Sequence, residues 1–141
     1  MAIRPSLTAL PALAIAALAF AAPAGAQSDR SQSDRGQAEL AKLLEGRVAG
    51  EPTDCVPHRP SARLYVIDET ALVYDTGSKV YINYTRNPES LDDGDYLVVR
   101  DPSPSLCRTT QITTRSRGGN FFSGVIFLDE FIPYERVKNE G

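Results

Sequence analysis

Tryptophan is absent from this sequence, histidine and methionine occur once each, and there are only two cysteines in 141 residues. One histidine and two cysteines exclude most zinc centres, which draw four ligands from these residue types. No C-x-x-C pair suggests a thiol redox centre, and no G-x-S-x-G elbow suggests a hydrolase nucleophile. Charge of either sign is scarce in excess: 15 basic against 18 acidic residues leave a net charge of −3. So small a net charge, and of that sign, supplies no long-range attraction to nucleic acid or anionic lipid. The remainder is ordinary: 42% hydrophobic and 23% charged residues describe a globular chain, and the length fits one domain.

The longest apolar run is short. Leu10–Ala22 is 13 residues, contains Pro11, and falls below the ~20 residues needed to span a bilayer. Arg4 is the only charge before Asp29, and Ala24-Gly25-Ala26 places small residues where a signal peptidase reads them. A positive start, a short apolar stretch and A-x-A form a secretory signal peptide, with cleavage expected between Ala26 and Gln27. No cysteine follows the run directly and no Arg-Arg pair precedes it, so neither lipidation nor twin-arginine export is expected. The expected mature chain is periplasmic or secreted. It keeps 14 basic and 18 acidic residues, a net charge of −4.

Gln27–Gln37 reads QSDRSQSDRGQ, with nothing apolar to bury. It is expected to be a disordered spacer, because ordering it costs entropy that no burial repays. From Ala38 the character changes. Leu40, Leu43 and Leu44 recur at i, i+3 and i+4, predicting a short helix over Ala38–Arg47, with Gly46 and Gly50 as stop candidates. So short a helix is marginal alone and is expected to dock its leucines on a sheet.

That sheet starts at Arg63. Arg63–Ile67, Ala71–Tyr74 and Lys79–Tyr84 are β-rich runs joined by short polar turns, which predicts an antiparallel meander. Further strands are predicted at Asp95–Arg100, Leu106–Arg115, Phe121–Leu128 and Glu130–Tyr134. Phe121–Leu128, the most apolar run of the mature chain, is expected to fill the core, and Pro133 to lie on an edge. The expected fold is α+β or mainly β: one short N-terminal helix packed on a six- to seven-stranded, largely antiparallel sheet that coils into a small barrel or half-barrel. The domain plan is a signal peptide over 1–26, a spacer over 27–37 and one globular domain over 38–141.

Cys55 and Cys107 are the only cysteines. In an oxidising compartment they are expected to form a structural disulfide, with two buried free thiols or a redox pair as alternatives. His58 lies among Asp54, Cys55 and Ser61, the composition of a small hydrolase site, although a solvated loop histidine explains it as well. Asp92, Asp93 and Asp95 surround Gly94. They lack the EF-hand spacing, so a turn is the simpler reading and a weak cation site the alternative. Arg115, Arg117 and Gly118-Gly119 read as a hairpin tip. Asn83-Tyr84-Thr85 matches a glycosylation sequon but falls in a predicted strand.

The order of segments also carries a resemblance. L-x-G-R-x-x-G at Leu44–Gly50, P-x-D-C at Pro52–Cys55, a strand opening on Leu106-Cys107 and a closing F-x-P-Y at Phe131–Tyr134 follow one another. This arrangement resembles a family of small exported bacterial proteins of unknown function, over roughly Leu40 to Tyr134. The resemblance implies one exported domain with a cysteine pair, and no established activity. Tyr84-Thr85-Arg86 departs from it, because an arginine is expected directly after Val/Ile-Asn. The functional expectation is a non-enzymatic binding or interaction domain without a cofactor, its partner an envelope protein. The alternatives are a hydrolase at His58 and cation binding at Asp92, Asp93 and Asp95.

Overall fold

The computed structural model describes residues 25–138, so most of the expected leader lies outside the described residues. Helix α1 spans Gly25–Leu44. It is longer than expected and takes in the Gln27–Gln37 stretch read as a spacer. Gly36 shows what supports its later turns: the residue is buried, and a Cβ there would run into the Thr70 side chain and the Asp68 carbonyl. Backbone contact at a glycine thus does what apolar side chains do at Leu40, which is 4% exposed, and at half-buried Leu43 and Leu44. Gly46, at φ +69°, ends the helical segment in the left-handed region that glycine adopts without penalty.

Among the described residues ten strands follow, in three antiparallel sheets. The largest contains β1 (Arg47–Ala49), β3 (Arg63–Ile67), β4 (Ala71–Asp75), β5 (Lys79–Asn83) and β10 (Phe131–Arg136), in the order β1-β10-β5-β4-β3. The meander β3–β5 is as expected. A ribbon pairs β2 (Cys55–Pro57) with β7 (Ser105–Cys107), and a third sheet orders β6 (Asp95–Val99), β8 (Gln111–Ser116) and β9 (Phe122–Phe127) as β6-β8-β9. The single six- to seven-stranded sheet closing into a barrel is therefore not what forms. Among the described residues β1 and β3 remain edges of the large sheet, and β6 and β9 edges of the small one.

Side-chain alternation along the large sheet sorts two cores onto its two faces. Val80, Ile82, Val73, Ala71 and Ile67 face α1 and pack with Leu40. Leu72, Tyr74, Val66 and Phe131 face the other way and pack with Val56 and Leu106 of the ribbon and Ile112, Ile126 and Leu128 of the third sheet. The result is three layers: helix, large sheet, and the two small sheets together.

Three strand expectations need correction. Leu106–Arg115 is two strands, not one. Thr110 N–H donates to the Cys107 carbonyl, Cys107 N–H donates to the Thr110 hydroxyl, and that hydroxyl donates to Asp101 Oδ2 at 2.9 Å, so the chain turns and changes sheet. Phe121–Leu128 does not fill the core: Ile126 and Leu128 are buried, but Phe121, Phe122 and Phe127 are 73%, 62% and 52% exposed. Pro133 does not sit on an edge strand, because β10 lies between β1 and β5. Gly50 N–H donates to the Pro133 carbonyl at 2.7 Å, and proline has no N–H to return. Pairing lapses there and resumes at Thr53, which exchanges two hydrogen bonds with Phe131.

Candidate cation site

The β3–β4 turn is Asp68-Glu69-Thr70. Thr70 N–H donates to the Ile67 carbonyl, the Thr70 hydroxyl donates to the Asp68 carbonyl at 2.8 Å, and Glu69 takes φ +46°. That conformation turns Glu69 N–H outward to the Leu91 carbonyl, 3.0 Å away. Leu91, only 1% exposed, ends a short 3₁₀ turn over Pro88–Ser90 and plugs the core. Beyond it the backbone turns again: Gly94 N–H donates to Asp92 Oδ1 at 2.7 Å, and Asp95 N–H to the Asp92 carbonyl.

Two turns remote in sequence are thereby pinned side by side. One carboxylate oxygen each from Asp68, Asp92 and Asp93 lie within 4.8 Å of one another. Asp68 is half-buried and the other two are exposed. At that spacing each like-charge pair repels by about 1 kcal/mol in water, and by more where solvent is partly displaced. A divalent cation removes that repulsion. An all-oxygen donor set suits a hard ion such as Ca²⁺, with water completing its six to eight ligands.

Two of the three aspartates expected at this turn are in the cluster. Asp95 is not: it opens β6 and stands opposite Ser116. Asp68 takes its place, and sequence reasoning missed it. Its turn was legible, but nothing local says that the turn docks against Leu91.

Among the described residues, the groups around His58 form no hydrogen-bonded Ser-His-Asp arrangement. The Tyr74 hydroxyl accepts from Arg59 N–H at 2.9 Å and donates to the Pro57 carbonyl at 3.0 Å, so the loop is held. His58 itself is exposed, and its imidazole makes no hydrogen bond among the described residues. It borders a shallow hollow of about 220 Å³ shared with Asp101, Ser103 and Ser105. Asp101 and Ser103 are engaged with other partners. Asp101 accepts from Ser103 N–H and from Thr110, and Ser103 Oγ accepts from Ser105 N–H. Asp54 pairs with Arg108 at 3.2 Å.

Cys55 is not available as a nucleophile either. It is bonded to Cys107 as expected, with Cα atoms 4.0 Å apart and a sequence separation of 52. The bond is not deeply buried: Cys55 is exposed and Cys107 half-buried. The two cysteines stand directly opposite in the ribbon. Asp54 with Arg108 and His58 with Pro104 are the hydrogen-bonded positions, which makes the cysteines a non-hydrogen-bonded pair, the closer type.

Asn83 is fully buried, so the sequon there is sterically closed. No protein-family model, curated protein or solved structure matches this chain.

Proposed function

We propose that this is an exported, disulfide-stapled, non-enzymatic domain that binds a divalent cation of the calcium class at Asp68, Asp92 and Asp93. The carrying observation is the convergence of three carboxylate oxygens within 4.8 Å across two turns. The backbone bond between Glu69 and Leu91 and the Asp92–Gly94 turn support the reading, because neither requires a cation to form. Three carboxylates supply about half of a calcium shell, so affinity belongs in the ~10⁻⁴–10⁻³ M class of extracellular modules. That class fits the compartment expected from the N-terminal pattern. Export is proposed from the N-terminal sequence pattern, and an envelope protein remains the partner class that a small exported β-domain suggests.

Thermal melts with Ca²⁺, with Mg²⁺ and with chelator test the proposal. A ligand at 100 times its dissociation constant stabilises by ~2.7 kcal/mol, so saturating Ca²⁺ should raise the melting temperature by about ten degrees or more. Asp68→Asn combined with Asp93→Asn should abolish the rise, whereas Asp95→Asn should leave it. No rise in the parent protein, or a rise that survives the double substitution, sinks the proposal.

A further inference from the structure

An antiparallel sheet packed on a core by one face ordinarily turns a polar face to water. The outer face of the β6-β8-β9 sheet does not follow that rule. Register puts Phe122 opposite Arg115, Val125 opposite Thr113 and Phe127 opposite Gln111, with Val98 opposite Thr113 on the other side. Arg100 follows β6 and joins Val98, Arg115 and Phe122 around a shallow hollow of about 230 Å³. Beyond Phe127 a second hollow is bordered by Arg86 and Arg108. The two hollows share Gln111, and their borders hold four arginines and no carboxylate, although acidic residues outnumber basic ones in the chain. Arg108 is partly neutralised by Asp54, whereas Arg100 makes no ion pair or hydrogen bond among the described residues. Phe121, with Arg117 nearby in the same loop, extends the pattern to the hairpin end.

We propose that this face docks on an anionic lipid bilayer, its phenylalanines entering the interface and its arginines meeting lipid phosphates. Exposure and charge favour a bilayer over other occupants. Phe121 at 73% and Phe122 at 62% are the two most exposed large hydrophobic side chains among the described residues, Phe127 is 52% exposed, and the hollows that Phe122 and Phe127 border are shallow. A second copy stacked on the same face would set arginine against arginine, with only Asp54, already paired to Arg108, to offset them. Exposed aromatics among arginines are the composition of an interfacial binding surface. Net charge does not oppose this at contact, because screening confines each charge to ~8–10 Å at physiological salt. The sign of the whole chain therefore matters less than the sign of the face that touches.

The test is co-sedimentation with phosphatidylglycerol-containing vesicles and with pure phosphatidylcholine vesicles. Chelator is present, so that no cation can bridge the aspartates to lipid and the result stands apart from the cation reading. The protein should pellet with the anionic vesicles, less at high salt, and stay in solution with the neutral ones. Arg100→Ala with Arg115→Ala should weaken binding about thirtyfold, at ~1 kcal/mol per arginine. Arg100→Glu, which breaks no internal bond, should weaken it too, and Phe121→Ser with Phe122→Ser should do so about tenfold or more. Unchanged melting curves would show that these variants fold. Equal binding to both vesicle types, no binding to either, or retention on a dextran sulfate resin without vesicle binding would each overturn the proposal.

Discussion

Asn83 and Asp129 are joined by two reciprocal hydrogen bonds. Asn83 Nδ2 donates to the Asp129 carbonyl at 2.6 Å, and Asp129 N–H donates to Asn83 Oδ1 at 2.9 Å. The amide side chain acts as one more rung of sheet. Asn87 repeats the device four residues on, donating to the Val125 carbonyl and accepting from Phe127 N–H. Together they sew the segment after β5 to the end of β9, which is how the large sheet and the small sheet hold one another.

Removing that rung should be costly. Asn83→Ala leaves the Asp129 N–H and C=O without partners beside a core position, and each orphaned buried group costs ~1–3 kcal/mol. A loss of about 2–4 kcal/mol is expected in urea unfolding of the variant. Asn83→Asp should be no better, since it keeps the acceptor but loses the donor. A loss below about 0.5 kcal/mol for either would show that water replaces the amide, against the usual penalty for orphaned groups.

Opening the disulfide should cost about as much. For residues 52 apart in sequence, the chain-entropy model gives ~4 kcal/mol. Cys55→Ser with Cys107→Ser should therefore lose roughly 2–5 kcal/mol and melt well over ten degrees lower, at ~4–8 °C per kcal/mol. Ellman's reagent on the unfolded, unreduced protein should find no free thiol. An unchanged melting temperature would show that the two-stranded ribbon holds without its bond.

At Gly36 two effects oppose one another. Alanine is the better helix former by ~1 kcal/mol, but its methyl would collide with Thr70 and the Asp68 carbonyl, and overpacking costs ~1–3 kcal/mol. The clash involves backbone, which cannot swing aside, so Gly36→Ala should destabilise. Thr70→Ser should not relieve it, because the carbonyl and the hydroxyl remain. A stabilised Gly36→Ala protein would mean that α1 does not rest on this turn.

Tyr84 gives the stability curve an alkaline limb. Burial, then its hydrogen bond with Tyr134, pushes the Tyr84 hydroxyl up to about 12 from an ordinary 10.0. Between those values the unfolded chain has lost the proton and the folded chain has kept it. Stability is therefore whole below pH ~10 and declines as pH rises toward ~12. Tyr84→Phe should flatten that decline, and near pH 11 phenolate absorbance of the folded parent should lag behind that of the unfolded chain. Identical alkaline limbs for variant and parent would contradict it.

Where local chemistry decides, the sequence was legible. Lys79-Val-Tyr-Ile-Asn forms a strand where one was expected, with Val80 and Ile82 fully buried on one face; Asn83 on the other face is buried as well, because this sheet is covered on both sides. Gly46 stops the helical segment as expected, and compartment with cysteine count anticipated the disulfide. What stayed hidden depends on partners distant in sequence. Threonine suits strand and turn alike, so the break at Thr110 could not be read without Asp101. Hydrophobicity alone cannot say which side of β9 faces inward, and a bulge between Thr114 and Arg115 shifts its register. Two of the three aspartates of the candidate site, Asp92 and Asp93, were readable. Asp68 required knowing that one turn reaches across to another.

The arrangement of two cores on opposite faces of one sheet bears on how the molecule breathes. Among the described residues helix α1 packs on the nearer core, and none of its side chains belongs to the farther one. Lifting the helix would wet one face while the ribbon and the small sheet keep the other dry, which is the condition for a partial opening distinct from global unfolding. Amide exchange should accordingly sort by layer. Helix protons should exchange through a low-energy opening, and those of β4 and β8, which carry the farther core, should wait for the whole domain to come apart.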